Sequence, residues 1–329
     1  MRITVIGDGG WGTALAKLLD GYGHAVTVWG PFEAHLAEIR ATGFNETFLK
    51  GVALPESLRW VADPAAAMAD AEVVVLASPS KFYGDVCRRF HGLIQADLPV
   101  VSVTKGLCET THCSMSTLAR SILGVRDVVV LSGPSHAEEV ARELPTAVVA
   151  ACADAGCAGF VQQLFTGPRF RVYTCPDPLG VELGGAIKNV IAIAVGVSDG
   201  LGFGDNTRAA LITRGLAEMT RLGCALGARP ETFAGLSGMG DLIVTCCSRH
   251  SRNHAVGERL GRGEQIADIL SGMQMVAEGV WNSHIIHAIA EEKGVEMPIS
   301  TVVHQFCDEG LSPRDAVDTL MGRESKAEG

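Results

Sequence analysis

Lys188 is the residue whose setting most suggests chemistry. It stands within residues 181–215, VELGGAIKNVIAIAVGVSDGLGFGDNTRAALITRG, a run that is long, apolar and rich in small residues. Asn189 is its neighbour, and the nearest formal charges are Glu182 before it and Asp199 after it, each more than a helical turn away. A lysine on a buried helix is costly unless its ammonium has partners or a task. Such an ammonium can stabilise charge that builds on a carbonyl oxygen and hand it a proton. The alternative is a lysine whose stem lies along apolar surface while its head reaches water.

Four other groups carry chemically capable residues. Lys105 follows the strand-like PVVSVT and precedes Gly106; the carboxyl end of a parallel strand is where such sheets bind ligands. The segment LSGPSHA, residues 131–137, also follows a strand-like run, and its small residues, Gly133 among them, let backbone N–H groups approach a ligand. Ser135 reads best locally as a helix cap, and His136 as a surface histidine rather than a general acid or base. Asp241, in GMGDL, either orients a nearby lysine or caps a helix over residues 242–245. Ser251, Arg252 and Asn253 precede a helical run; a guanidinium beside free N–H groups at a helix start suits a phosphate or carboxylate, and an exposed basic loop would look the same.

Residues 3–13, ITVIGDGGWGT, hold a GxGxxG pattern between a strand-like run and a helix. Gly7 permits the tight turn, Gly9 lets the backbone approach a pyrophosphate, and Gly12 lets helix and strand pack closely, with Gly10 and Trp11 between them. Dinucleotide folds usually end the second strand in Asp or Glu for NAD, or place Arg there for NADP. Here the strand ends Trp29-Gly30-Pro31-Phe32-Glu33. Glu33 is the nearest acid, Arg40 lies further on, and nothing at the tip would neutralise a 2′-phosphate, so the reading leans to NAD.

The elements that must position these residues fall into two patterns. Residues 2–6, 25–29, 72–77, 98–103, 128–131 and 147–151 are Val-rich and nearly continuous, as expected of parallel strands covered on both faces. Helical stretches such as 13–22 and 65–69 fill the gaps. After about Pro176 strand runs stop and helical periodicity continues to the C-terminus, broken by Gly, Ser and Pro. The expected fold class is α/β plus all-α: a Rossmann-type, doubly wound N-terminal domain over residues 1–180 followed by an all-helical domain over 181–329.

A formal net charge of −10 argues against nucleic acid or an anionic membrane as partner, so an anionic ligand needs a local basic pocket. The ten cysteines show no CxxC pair and no Cys/His cluster with zinc spacing. Without a signal peptide they read as reduced thiols of a cytoplasmic protein that holds no metal. No apolar run is expected to reach transmembrane length uninterrupted.

Taken together, GDGGWGTALA, TKGL (104–107), LSGPSHAEEVA, LPTAVVAA (144–151), the long block from residue 181, GLSGMGDLIVTC (235–246), SRNHAVG (251–257) and VAEGVWN (276–282) carry a resemblance. The chain resembles the bacterial NAD(P)-dependent sn-glycerol-3-phosphate dehydrogenases over nearly its full length. The resemblance implies reversible hydride transfer between dihydroxyacetone phosphate and sn-glycerol 3-phosphate, feeding glycerophospholipid synthesis. It makes Lys188 the catalytic acid/base and puts Lys105 against both substrate and cofactor. Gly133, Ser135, Asp241, Ser251, Arg252 and Asn253 would surround the substrate, and Gly10, Trp11, Ala137, Arg252, Val276 and Glu278 would line the cofactor. Many members carry Arg or His near Pro31, and YLP where this chain has Phe48-Leu49-Lys50, which leaves NAD or NADP open. A related hydroxy-acid dehydrogenase or a non-catalytic NAD-responsive protein are the competing readings, and a homodimer is common for such folds.

Overall fold

The computed structural model describes residues 1–273, 276–324 and 327. Its sheet has eight strands: β1 (Arg2–Ile6), β2 (Ala25–Trp29), β3 (Arg59–Val61), β4 (Val73–Leu76), β5 (Val100–Ser102), β6 (Val128–Ser132), β7 (Thr146–Ala151) and β8 (Phe170–Cys175). Their order is β3-β2-β1-β4-β5-β6-β7-β8. The strands from β3 across to β6 run parallel. The chain order reverses between β1 and β4, which creates the crevice where doubly wound sheets bind ligands.

The near-continuous apolar runs have a direct cause. In β4, Val73 and Val75 enter the hydrophobic cluster that holds Leu15 and Leu19, while Val74 and Leu76 enter the cluster on the other face with Tyr83 and Phe90. Both faces are covered, so no alternation survives. Two strands escaped the sequence pattern. β3 is only three residues long, RWV, and β8 alternates buried and exposed positions at the sheet edge. The expectation that residues 147–151 run parallel to their neighbour is corrected: β7 is antiparallel to β6 and parallel to β8. Apolar composition encodes burial on both faces and carries no direction.

The chain divides into two compact units, Met1–Gly185 with Ala228–Asp241, and Ala186–Gly227 with Leu242–Gly329. In the first, Asp177 explains why the later segment returns. Its Oδ1 accepts from the Gly180 N–H at 3.0 Å, starting the Pro178–Gly200 helix, and its Oδ2 accepts from the Arg229 N–H at 2.9 Å and the Thr232 hydroxyl at 2.6 Å. Proline in the first helical position loses nothing there, since its missing N–H would have had no partner in the helix.

The second unit is helical. Gly196 and Gly200 on the Pro178–Gly200 helix face Gly257 and Gly261 on the Arg252–Gly261 helix, and a Cβ at any of the four would collide with backbone of the other helix. The two helices therefore cross in backbone contact. Glu218, on the Asp205–Ala225 helix, accepts from the N–H groups of Ile299 and Ser300 at 2.7 and 3.1 Å and so closes the start of the Pro298–His304 helix. The Pro178–Gly200 helix is long and apolar enough to cross a membrane by length and composition alone, but Glu182, Lys188 and Asn189 interrupt it, and its apolar window is wholly buried, as in a core helix. All ten cysteines are free thiols.

Candidate functional site

The loop after β1 has the geometry that a pyrophosphate requires. Gly7 adopts φ +129°, and a Cβ there would stand 2.8 Å from the Ala77 backbone. Gly12 lies directly on the Gly7 carbonyl, which only a residue without a Cβ allows. Gly9 differs: a Cβ at that position would meet nothing within 4 Å, so its backbone faces open space. The Gly10–Gly21 helix starts three residues before the expected 13–22 segment, with Gly9 as its N-cap and no side chain bonded to its first N–H groups. These residues fit a dinucleotide: two glycines make the turn, and the third leaves the helix start accessible to phosphate oxygens. Trp11 packs in a small cluster with Leu49, Val52, Ala137 and Ala141, and Gly10 lies under the Phe48 carbonyl. Gly10, Trp11 and Ala137 are thus brought together beside the loop.

A second group forms at the carboxyl ends of β5 and β6. The Lys105 Nζ donates to the Gly133 carbonyl at 2.9 Å and to Asp241 Oδ2 at 2.8 Å. Asp241 is 1% exposed, so it contributes a nearly dry negative charge that fixes the ammonium. It stands where a widened turn, Leu236–Gly240, passes into the Asp241–Cys247 helix; such i to i+5 turns recur at functional positions. Gly133 has φ +142° and lies 3.0 Å, by its absent Cβ, from Val148 Cα. The cap expected of Ser135 is not made. Its hydroxyl donates to the Gly133 carbonyl at 2.8 Å, and the following Ala137–Val140 helix begins at His136 without a side-chain cap. A turn inside the loop competes for the hydroxyl at shorter range. Gly184 and Gly185 let the Pro178–Gly200 helix approach the Ser237 backbone and the Lys105 stem.

The third group lies in the helical unit. Lys188 is 5% exposed, and its Nζ donates to the Thr245 hydroxyl at 2.7 Å. Asn189 Oδ1 accepts from Asn253 Nδ2 at 2.8 Å, and Asn253 Oδ1 accepts from the Gly279 N–H at 2.9 Å. One amide thus joins three helices. Ser251 caps the Arg252–Gly261 helix by accepting from the His254 N–H. The exposed Arg252 donates to the Val276 carbonyl at 2.9 Å, next to the helix that Glu278 opens. Ser251, Arg252, Asn253, Val276 and Glu278 are therefore neighbours.

Thr245 was not singled out by its sequence, although it stands one helical turn after Asp241 and could have been found by that spacing. The sequence marks Asn189 only as the neighbour of Lys188. Glu33, the acid nearest the β2 tip in sequence, is exposed on the Glu33–Thr42 helix and paired with Arg40, which also donates to the Trp60 carbonyl.

Comparison with known proteins agrees along the whole chain. Residues 2–158 match the NAD-dependent glycerol-3-phosphate dehydrogenase N-terminus, and residues 177–318 match the C-terminus of the same family. The chain belongs to the NAD-dependent glycerol-3-phosphate dehydrogenase family. Among its relatives, glycerol-3-phosphate dehydrogenase [NAD(P)+] of Geobacter sulfurreducens is 50% identical over 99% of this chain and 98% of its own. The protein of that name from Geobacillus thermodenitrificans is 48% identical over 99% and 96%. The crystal structure of glycerol-3-phosphate dehydrogenase from Coxiella burnetii superimposes with a TM-score of 0.94 at 39% identity, covering 98% of this chain and 99% of that one. Membership of the glycerol-3-phosphate dehydrogenase family accounts for the parallel sheet, the glycine loop and the helical second half together.

Proposed function

We propose that this chain reversibly reduces dihydroxyacetone phosphate to sn-glycerol 3-phosphate with NADH or NADPH, in the cytoplasm, and so supplies glycerol 3-phosphate for glycerophospholipid synthesis. Residues 1–180 would hold the cofactor and residues 181–329 the substrate and the acid. The observation that carries this reading is Lys188: a lysine held at 5% exposure on an apolar helix, with its ammonium bonded to the Thr245 hydroxyl. A proton donor is the chemistry that a ketone reduction requires.

When bound, the reduced nicotinamide supplies the hydride to the ketone carbon. Lys188 meets the negative charge that develops on the carbonyl oxygen and delivers the proton; such proton transfer is typically worth about 10²–10⁴-fold in rate. Lys105, fixed by Asp241 and the Gly133 carbonyl, adds a positive field and cannot swing away without breaking both bonds. Asp241 and Thr245, the partners of the two lysines, stand four residues apart on one helix. Arg252, with the free N–H groups of its helix start and the Ser251 hydroxyl, suits the substrate phosphate. Asn253 has both ends of its amide in use and keeps one N–H of Nδ2 for a ligand. Gly7, Gly9, Gly10, Trp11, Gly12 and Ala137 would line the dinucleotide.

The test is the loss of NADH absorbance on adding dihydroxyacetone phosphate, in wild type and in Lys188→Ala of unchanged circular dichroism. The variant should lose at least about 10²-fold in turnover. Turnover within a few-fold of wild type would overturn the assignment. Oxidation of a 2-hydroxy acid in place of glycerol 3-phosphate would overturn the substrate.

A further inference from the structure

The acid that dinucleotide folds carry at the end of the second strand is missing from this chain, and the structure holds a carboxylate at that place from another source. The residue after β2 is Gly30, and a Cβ there would lie 2.6 Å from the carboxyl carbon of Asp8. Asp8 is the second residue of the glycine loop, so its side chain occupies the space that a residue-30 side chain would fill. It is 7% exposed, and its Oδ2 is buried without a hydrogen-bond partner. Its main chain is pinned: the Asp8 carbonyl accepts from Asn45 Nδ2 at 2.8 Å and from the Thr13 hydroxyl at 3.2 Å. The facing titratable group is His35, whose Nε2 stands 3.9 Å from Asp8 Oδ2, beyond hydrogen-bond range. The His35 ring is held edge-on against Phe48.

We propose that Asp8 replaces the missing β2 acid, accepts the 2′-hydroxyl of the cofactor's adenosine ribose, and makes this enzyme select NADH over NADPH. The proposal rests on the dinucleotide reading above and adds to it which cofactor is taken. A buried acceptor without a donor is costly, and a ribose hydroxyl supplies that donor. Burial pushes the Asp8 carboxyl above its ordinary value, with its own backbone and His35 pulling it partway back, as expected of an anion short of donors. A 2′-phosphate offers no donor and brings about −1.5 to −2 charges against the same carboxylate. Glu33, the acid nearest in sequence, is paired with Arg40 instead.

The experiment measures binding of NADH, NADPH and the 2′-deoxyribose analogue of NADH to the full chain by fluorescence titration at one ionic strength. Wild type should bind NADH at least about tenfold more tightly than NADPH, the share expected of one charge-assisted hydrogen bond. Asp8→Ala should bring that ratio to within about threefold, mainly by weakening NADH, while the 2′-deoxy analogue binds wild type and variant alike. Asp8→Asn, which keeps the shape if Asp8→Ala fails to fold, should tighten NADPH and weaken NADH less than Asp8→Ala does, because a neutral acceptor remains. A ratio that Asp8→Ala does not alter, or a wild type that prefers NADPH, overturns the proposal. Tight NADH binding without reduction of dihydroxyacetone phosphate overturns the substrate reading and leaves Asp8 supported; binding of neither dinucleotide overturns both.

Discussion

Asn253→Ala removes one side chain that joins three helices, and its consequences can be worked out bond by bond. Asn253 is 8% exposed. Its Oδ1 takes the Gly279 N–H at 2.9 Å, one of the donors that the first turn of the Glu278–Lys293 helix cannot satisfy internally. Its Nδ2 gives a hydrogen bond to Asn189 Oδ1 at 2.8 Å, next to Lys188. Each buried group deprived of its partner costs roughly 1–3 kcal/mol, so with two such groups the variant should lose about 2–6 kcal/mol from the helical unit. The local effect is sharper than the global one. At about 1.4 kcal/mol per factor of ten, the Gly279 amide should exchange with deuterium about 5- to 150-fold faster. Asn253→Asp tests the two bonds separately: it keeps an oxygen for Gly279, at a helix start where negative charge is favoured, but sets a second oxygen against Asn189. Gly279 should regain its protection in Asn253→Asp, and turnover should stay depressed because Asn189 is misaligned. The assays are hydrogen exchange read at Gly279 and urea unfolding of each variant. Unchanged Gly279 protection in Asn253→Ala, with unfolding within about 0.5 kcal/mol of wild type, would refute the reasoning.

Three further outcomes follow from other contacts. Asp241→Asn removes the charge that holds Lys105 at 2.8 Å; breaking a buried pair costs about 3–5 kcal/mol, and the 18% exposure of the Lys105 side chain should bring this to the low end or just below. Urea unfolding measures it, and kcat/KM should fall in the same variant; a loss of neither would contradict the pairing. Gly257→Ala drives a Cβ into the Ile193 carbonyl, so the thermal midpoint should drop by the equivalent of at least about 1–3 kcal/mol while NADH binding is retained. An unaltered midpoint would mean that the two helices do not cross in backbone contact. Glu218 gives a pH test. Burial pushes its carboxyl above the ordinary 4.5 despite the hydrogen bonds from Ile299 and Ser300. The folded state thus binds the proton more tightly than the unfolded chain, and the resulting stability is complete below the ordinary value and lost as pH rises through the raised one. The stability of wild type minus that of Glu218→Gln, from urea midpoints, should therefore fall as pH is raised from 4.5 upward, and a flat or rising difference would show the sign to be wrong.

What could be read in advance had a local cause. The GxGxxG loop is legible because each glycine answers to a contact within a few residues or to the adjoining strand, as Gly12 does on the Gly7 carbonyl. Six strands were legible because covering both faces of a sheet writes itself as a run of valines. Lys188 stood out because one charge in so apolar a run demands an explanation. β3 was too short and β8 too exposed on alternate positions to leave the same trace. The Gly196/Gly200 and Gly257/Gly261 pairs were visible as spacings, but nothing in either segment says that the other is its partner.

Sequence alone therefore determined the two kinds of architecture, the glycine loop and the two lysines as candidates, since these depend on composition and short-range period. Only the tertiary structure decided what each lysine is bonded to: Lys105 finds Asp241 at a separation of 136 residues, and Lys188 finds Thr245 at 57. It also decided that Asp8, rather than Glu33, is the carboxylate beside Gly30, and that β7 turns against β6. Burial of a side chain leaves its mark on its own segment, whereas the partner that makes a buried charge tolerable is chosen by packing across the fold, where the spacing of residues along the chain carries no information.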